Sequence, residues 1–428
     1  MFLGPRRGHT LTAVASTNTV EPSQSSSPTP EGRPLQAVVG LSPERITGLL
    51  AQALDGRGPA LMPIPTGTPD TRVAELLSAM RPTSVLTPDG VTTLDDGVPT
   101  QENTALVVTT SGSTGSPKGV ELSASALQAS ARASVDRIGA RSGDAWLCVL
   151  PAGHISGLQV ITRALVTDTE PVHSTFDTEA VTVLAEKLRP HVSLVPTQLR
   201  RLLATGTDLS LFGTILLGGA AAEPSLLEAA RHAGGRVLTT YGMSETCGGC
   251  VYDGVPLDCA NVRVDSDSLG DPGRILLAGT MLMSGYRHAP GEQRPPTPWV
   301  VDDSGHRWLR TNDLGRLDGG RLAVLGRQDD VINTGGHKVV PAQVNALLLA
   351  DPAVAEAVVV GRPDPEWGER VTAVVVPADP GSPPALESLR ARVREQLPSY
   401  AAPREVEIRD TLPMLASGKP DLAALRRR

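Results

Sequence analysis

The chain has 428 residues, with 39 Lys plus Arg against 46 Asp plus Glu, a formal net charge of −7 and a sequence pI near 5.7; that balance excludes a generic nucleic-acid binder, whose affinity rests on clustered cations. A hydrophobic content of 40% with 20% charged residues suits two or three packed domains, and no apolar run reaches the 18 or so residues of a membrane span. The first fourteen residues lack the apolar stretch of a secretory signal, and four cysteines are too few for a disulfide framework, so a reducing cytoplasm is the expected setting.

Taken in chain order, residues 1–33 are rich in Ser, Thr, Pro and Gly and read as a disordered leader. Residues 36–53 alternate loop and amphipathic helix. From Thr104 a strand–loop–helix rhythm begins: a buried strand at 105–109, a helix at 122–138, a strand at 146–150, a strand at 192–195 and a helix at 198–204. A strand at 214–217 stops at Gly218-Gly219, a helix follows at 224–233 with Glu223 near its start, and a further strand covers 236–240. This is the pattern of α/β layers with mostly parallel sheets. After Val262 it gives way to strands and Gly turns, including a strand at 274–278 and a hairpin at 317–322. Residues 343–349 and 386–397 read as helices, and 355–361, 371–376 and 406–409 as strands. The expected organisation is a large layered domain over 34–326 with a shortened N-terminal part, a joint at 327–330, and a small α+β domain over 331–428.

Gly and Pro together make up nearly a fifth of the chain, and lysine occurs only at Lys118, Lys187, Lys338 and Lys419, every other basic residue being arginine. Two of those lysines sit in motifs. The run Thr109, Thr110, Ser111, Gly112, Ser113, Thr114, Gly115, Ser116, Pro117, Lys118 follows directly on a buried strand. Small residues let a backbone approach an anion closely, and hydroxyl and N–H groups donate to its oxygens. It is not a Walker A loop, because Pro precedes Lys118 and Gly119 follows it; the plain alternative is a flexible Ser/Gly turn. Tyr241, Gly242, Met243, Ser244 and Glu245 then place an aromatic face, a hydroxyl and a carboxylate side by side, a set that could meet a nucleotide base, a phosphate and Mg²⁺. Asp313 and Arg327 could respectively accept from and donate to ribose hydroxyls, or be two surface charges about a hairpin. The second lysine motif, Ser417-Gly418-Lys419, lies close to the chain end.

Each motif is of moderate weight alone. Their order and joint presence over about residues 105–420 resemble the acyl-adenylate-forming superfamily of acyl-CoA synthetases, luciferases and peptide-synthetase adenylation domains. The resemblance implies a large N-terminal domain, a small mobile C-terminal domain, and attack of a carboxylate on the α-phosphorus of ATP, followed by displacement of AMP by the thiol of coenzyme A. It also implies residue roles. The Thr110–Lys118 loop would hold the β- and γ-phosphates, Glu245 Mg²⁺, and Ser244 the α-phosphate. Tyr241 would stack on adenine within a nucleotide site that also takes in Gly219, Ala220, Gly242 and Met243, while Asp313 and Arg327 grip ribose. Lys419 would bridge carboxylate and phosphate in the first step, Asp329 would be the hinge, and Gly335 and Gly336 the wall of the pantetheine channel. Gln343 stands where relatives often carry Glu, and Lys338 would either touch the phosphates of coenzyme A or be solvated, the plainer reading.

His154 with Ser156 resembles the segment that borders the acyl pocket in this superfamily, which makes His154 a catalytic candidate beside Lys419 and Glu245, and Thr197, Gly218 and Gly219 match its other walls. The stretch from Glu245 to Leu257, with Cys247-Gly248-Gly249-Cys250, resembles that of 2-succinylbenzoate–CoA ligases of menaquinone synthesis, short actinobacterial ones above all. A zinc or redox role for the cysteine pair lacks further ligands and a suitable context. The second carboxylate of such an acid needs a polar anchor; Arg200 and Arg201 are the guesses, with solvated helix arginines the plainer reading. Other aryl or short-chain acids, a carrier-protein acceptor, and a relative without turnover remain alternatives, the last opposed by the retained Glu245, Asp313, Arg327 and Lys419. Small-molecule substrates are the expected partners, with no nucleic acid, no membrane span, and self-association left open. Fewer residues precede the phosphate loop than in most relatives, which puts the completeness of the first sheet in question.

Overall fold

The computed structural model describes residues 32–111, 117–266, 272–289, 298–414 and 420–427. The leader thus lies almost wholly outside the described residues, but its last member does not: Arg33 is buried, its guanidinium donating to the Thr104, Ala53, Gly58 and Arg57 carbonyls at 2.9–3.1 Å.

The first sheet has seven strands among the described residues. They run in the order Gly285–Arg287, Pro117–Ser123, Thr104–Ser111, Ala60–Pro63, Leu35–Val38, Ser84–Thr87 and Gly90–Thr93. The inner pairings are parallel and the pairs toward both edges antiparallel. Two consequences correct the sequence reading. Residues 35–38 form a fully buried strand, where a loop is expected, before the helix Pro43–Leu54 that Ser42 caps. Leu122 belongs to the strand Pro117–Ser123, and the helix begins only at Ala124, because the Ser123 hydroxyl accepts from the Ala126 N–H at 3.1 Å.

A second seven-stranded sheet orders Val255–Pro256, Gly248–Tyr252, Val237–Met243, Thr214–Leu217, His191–Leu194, Trp146–Cys148 and Val172–His173, parallel except at the first two pairings. Parallel strands buried on both faces read as continuous apolar runs, and Thr214–Leu217 is fully buried. The strand read at 236–240 runs on to Met243, so Tyr241 stands in a strand and not in the loop after it. One continuous core joins the helices Pro43–Leu54, Ala124–Ile138 and Ile155–Val166 to both sheets and to the third, a five-stranded antiparallel sheet that accounts for the change of pattern after Val262.

The C-terminal portion has cores of its own. Ile332, Val344, Val359, Val371 and Leu389 pack on one side of a five-stranded sheet, and Val358, Val360, Val374, Leu412 and Leu425 on the other.

Candidate active site

The phosphate-loop motif closes a β-hairpin. Thr110 faces Lys118 and Ser111 faces Pro117 across antiparallel strands, with Gly112, Ser113, Thr114 and Gly115 outside the described residues. Hairpin pairing explains why Lys118 stands beside the strand end that receives the nucleotide motif. Its ammonium donates to Glu245 Oε1 at 3.3 Å, and the same oxygen accepts from the Tyr286 hydroxyl at 2.7 Å. The Lys118 Nζ also sits 4.1 Å from the centre of the Tyr286 ring, within cation–π range. Burial and the neighbouring Glu245 carboxylate push the Tyr286 phenol well above its ordinary value, so it remains a donor. Across the hairpin from Lys118, the buried Thr110 hydroxyl has no partner among the described residues.

Tyr241, Gly242 and Met243 end the strand Val237–Met243, and Ser244–Thr246 form one 3₁₀ turn. Thr246 shapes that turn: its hydroxyl oxygen accepts from the Met243 N–H at 2.9 Å and its proton goes toward the Gly248 carbonyl at 2.7 Å. The turn therefore projects Ser244 and Glu245 off a rigid strand end. Four residues back, the Tyr241 hydroxyl donates to Asp313 Oδ2 at 2.8 Å, and burial with that carboxylate raises its pKa far above the usual phenol. Arg327 Nε approaches Asp313 Oδ1 at 3.8 Å and its Nη2 approaches Asp329 at 3.7 Å. Asn312 donates to Asp329 at 2.8 Å while accepting from Arg274. Asp313, Arg327 and Asp329, expected at the ribose and the hinge, thus share one polar chain with Asn312 and Arg274.

Of the residues expected to border the acyl group, His154 is the N-cap of the helix Ile155–Val166, and it and Ser156 are exposed. The first turn of that helix lies against the nucleotide segment: a Cβ on Gly248 would meet Gln159 Cγ at 3.3 Å and Ile155 Cγ1 at 3.8 Å. Gly218 is half-buried, and Gly219 and Ala220 are exposed at the end of Thr214–Leu217. Val195, at the start of the helix carrying exposed Thr197, stands 3.2 Å from where a Gly219 Cβ would be, which brings the two expected walls together. The arginine guesses find other partners: Arg200 pairs with Glu223 at 2.5 Å and Arg201 lies over the Phe176 ring at 5.2 Å. Cys247 and Cys250 are buried beside Cys259, and burial holds Cys250 up to about 12 and Cys259 to about 11, so these are protonated thiols in a core. Among the described residues no group of three or more His, Cys, Asp or Glu could hold a metal.

Gly335 and Gly336 both have left-handed φ, +57° and +81°, and a Cβ on Gly335 would strike the Trp367 ring at 2.6 Å, so the backbone there is necessarily bare. Lys338 is exposed. Lys419 lies outside the described residues, but both its flanks are held. Met414 bridges to Pro420, the Asp421 N–H donates to the Pro413 carbonyl at 2.8 Å, and buried Arg362 donates to the Leu425 carbonyl at 3.0 Å while pairing with Glu407 at 2.6 Å. Arg426 reaches Asp330, beside the expected hinge residue Asp329, at 2.9 Å. Tyr286, Asn312, Arg274 and Arg362 escape the sequence reading. A signal existed for Tyr286 alone, as one of only four tyrosines in the chain.

Residues 67–287 match the AMP-binding enzyme family and residues 343–419 the AMP-binding enzyme C-terminal domain. A Mycobacterium tuberculosis protein named "Probable 2-succinylbenzoate--CoA ligase" is 40% identical over 409 residues, covering 92% of this chain and 98% of that one. Among solved structures, o-succinylbenzoate CoA synthetase from Bacillus subtilis in complex with its acyl-adenylate intermediate is 27% identical, with a TM-score of 0.73 over 93% of this chain and 89% of that one. The same enzyme in complex with ATP and magnesium ion gives 0.76 at 27% identity, over 92% and 90% of the two chains.

Proposed function

We propose that this chain, which belongs to the AMP-binding enzyme family, joins 2-succinylbenzoate to coenzyme A using ATP, through an acyl-adenylate, with release of AMP and pyrophosphate, as in menaquinone biosynthesis. The observation that carries the chemistry is the double attachment of one short segment. Tyr241 is bonded to Asp313 and Glu245 to Lys118, so a ribose-binding carboxylate and a cationic phosphate site are fixed to the same strand end, four residues apart. The acid is supported by the 40% identical relative, which the chain spans almost entirely.

In the first half-reaction a carboxylate oxygen of the acid attacks the α-phosphorus and the bond to pyrophosphate breaks. Two anions must meet, so donors and positive charge have to converge on the phosphates. Lys118 is held against Glu245; a triphosphate competes for the ammonium and leaves the carboxylate to a cation. Glu245 fits Mg²⁺ well, since Mg²⁺ takes one or two carboxylates plus substrate phosphates. Among the described residues neither its Oε2 nor the Thr110 hydroxyl opposite Lys118 has a partner. Mg²⁺ bound there supplies neutralisation of the phosphate charge. Asp313 accepts from the ribose hydroxyls, with Arg327 as donor. Lys419 donates to the carboxylate and α-phosphate oxygens. In the second half-reaction the small domain turns about Asp329, the thiol enters along Gly335 and Gly336, and AMP departs. His154, Ser156, Thr197, Gly218 and Gly219 bound the acyl group. The reactants are small molecules, and four free thiols suit a reducing cytoplasm; no helix of the described residues is long and apolar enough to cross a membrane.

ATP–pyrophosphate exchange over a panel of acids tests this. Exchange should be strongest with 2-succinylbenzoate. Exchange with a different aryl or short-chain acid in its place reassigns the substrate, and no exchange with any acid contradicts turnover.

A further inference from the structure

We propose that Tyr286 is the positioning residue of the metal and phosphate end of this site, holding Glu245 through its hydroxyl and Lys118 through its ring. The proposal rests on the ATP-dependent reading above and assigns a role to a residue that no nucleotide motif contains.

The placement of Tyr286 is rigid and long-range. Its strand, Gly285–Arg287, is the edge of the first sheet and pairs antiparallel with Pro117–Ser123, putting Tyr286 opposite Val120, two residues from Lys118. The next residue, Arg287, pairs with Glu121 of that same strand at 3.5 Å, with both side chains nearly buried. Tyr286 therefore cannot drift relative to Lys118. Glu245 comes from a different sheet, and the phenol bridges the two at 2.7 Å. The backbone is tied as well, since the Met283 N–H donates to the Glu245 carbonyl at 2.9 Å.

The division of labour follows from the oxygens. Tyr286 and Lys118 both use Oε1 of Glu245, which leaves Oε2 as the oxygen presented to a cation. When Lys118 moves to the phosphates, the hydroxyl stays and keeps the carboxylate from rotating after it. The ring face under Nζ stabilises the ammonium while its ion pair is broken. Partners one step behind a metal ligand commonly govern metal affinity by about 10- to 100-fold, and among the described residues the phenol is the neutral donor to this carboxylate.

The test is equilibrium binding of ATP to the full chain at rising Mg²⁺, with no acid or coenzyme A present. Tyr286→Phe keeps the ring and removes the hydroxyl. The Mg²⁺ concentration for half-maximal ATP binding should rise about tenfold or more, while affinity for Mg²⁺-free ATP stays within about twofold and the thermal midpoint is unchanged. Tyr286→Leu should also weaken binding of Mg²⁺-free ATP. In a Glu245→Gln background Tyr286→Phe should have no further effect on Mg²⁺ dependence, the non-additivity expected of groups acting as a unit. An unchanged Mg²⁺ dependence in Tyr286→Phe, or the same shift with and without Glu245, overturns the proposal. Failure of the unaltered chain to bind ATP overturns it together with the reading it rests on. Failure of 2-succinylbenzoate in the exchange panel overturns only the choice of acid, since no acid enters this titration.

Discussion

Lys419→Ala is expected to slow adenylate formation by at least about a hundredfold, on the order of 3 kcal/mol for one preorganised donor at the reacting atoms, while thioester formation from supplied acyl-adenylate and coenzyme A stays near normal. The asymmetry comes from when the charge is needed. Bringing a carboxylate against a triphosphate creates a concentrated anion that an ammonium stabilises most in the transition state. In the proposed reaction, attack of a thiol on the finished adenylate follows a turn of the small domain that takes Lys419 away. The described flanks of the lysine are anchored: Met414 bridges to Pro420, Arg362 donates to the Leu425 carbonyl in the following helix Leu422–Arg426, and Arg426 pairs with Asp330, next to the expected hinge residue Asp329. Rapid-quench measurement of the two half-reactions separates the cases. Equal loss in both contradicts a lysine that serves only the first.

Gly242→Ala is expected to be the most damaging single methyl group that could be added to the nucleotide segment. An added Cβ would lie 1.9 Å from the Gly248 carbonyl oxygen and 2.7 Å from Gly249 Cα, both backbone atoms that no rotamer change can move. The register also shifts between Tyr241 and Gly242, and the facing backbone there leaves no room for a side chain. Relief requires prying Val237–Met243 from Gly248–Tyr252, which costs on the order of 3 kcal/mol or more, beyond ordinary overpacking. It would also displace Tyr241 from Asp313 and Glu245 from Lys118. Denaturant midpoints should fall clearly, and ATP affinity should fall with them in whatever protein remains folded. A fully stable Gly242→Ala chain with unchanged ATP binding would contradict the geometry of this segment.

Much of the central architecture is legible from the residues because it follows local rules. Thr214–Leu217 reads as a strand since it is apolar throughout most of its length and stops at two glycines. Helices outside the simple pattern are harder. Ile155–Val166 is buried along most of its length, so it lacks the polar face that marks an amphipathic helix, and it includes Gly157, whose Cβ would strike the Pro151 carbonyl at 2.3 Å. Thr178–Leu188 is rich in β-branched residues and is set by the Asp177 cap, which accepts from the Ala180 N–H.

The nucleotide motifs are legible for a different reason: each is a compact run of unusual residue types, and their order carries the information. What joins the motifs is not legible. Glu245 and Tyr286 are 41 positions apart and Tyr241 and Asp313 are 72 apart, and nothing local in either segment announces the other. The same holds for Arg200, whose helix position suggests a free cation, although Glu223, 23 residues on, pairs with it.

The central claim is that the acid's own oxygen becomes bonded to the α-phosphorus before coenzyme A enters. It is tested most directly with 2-succinylbenzoate carrying ¹⁸O in the reacting carboxyl group, followed by mass analysis of the released nucleotide. The account predicts one ¹⁸O atom in AMP, none in pyrophosphate, and thioester formation in step with it. Label in inorganic phosphate with ADP as the nucleotide product, or thioester formed with unlabelled AMP, would contradict it.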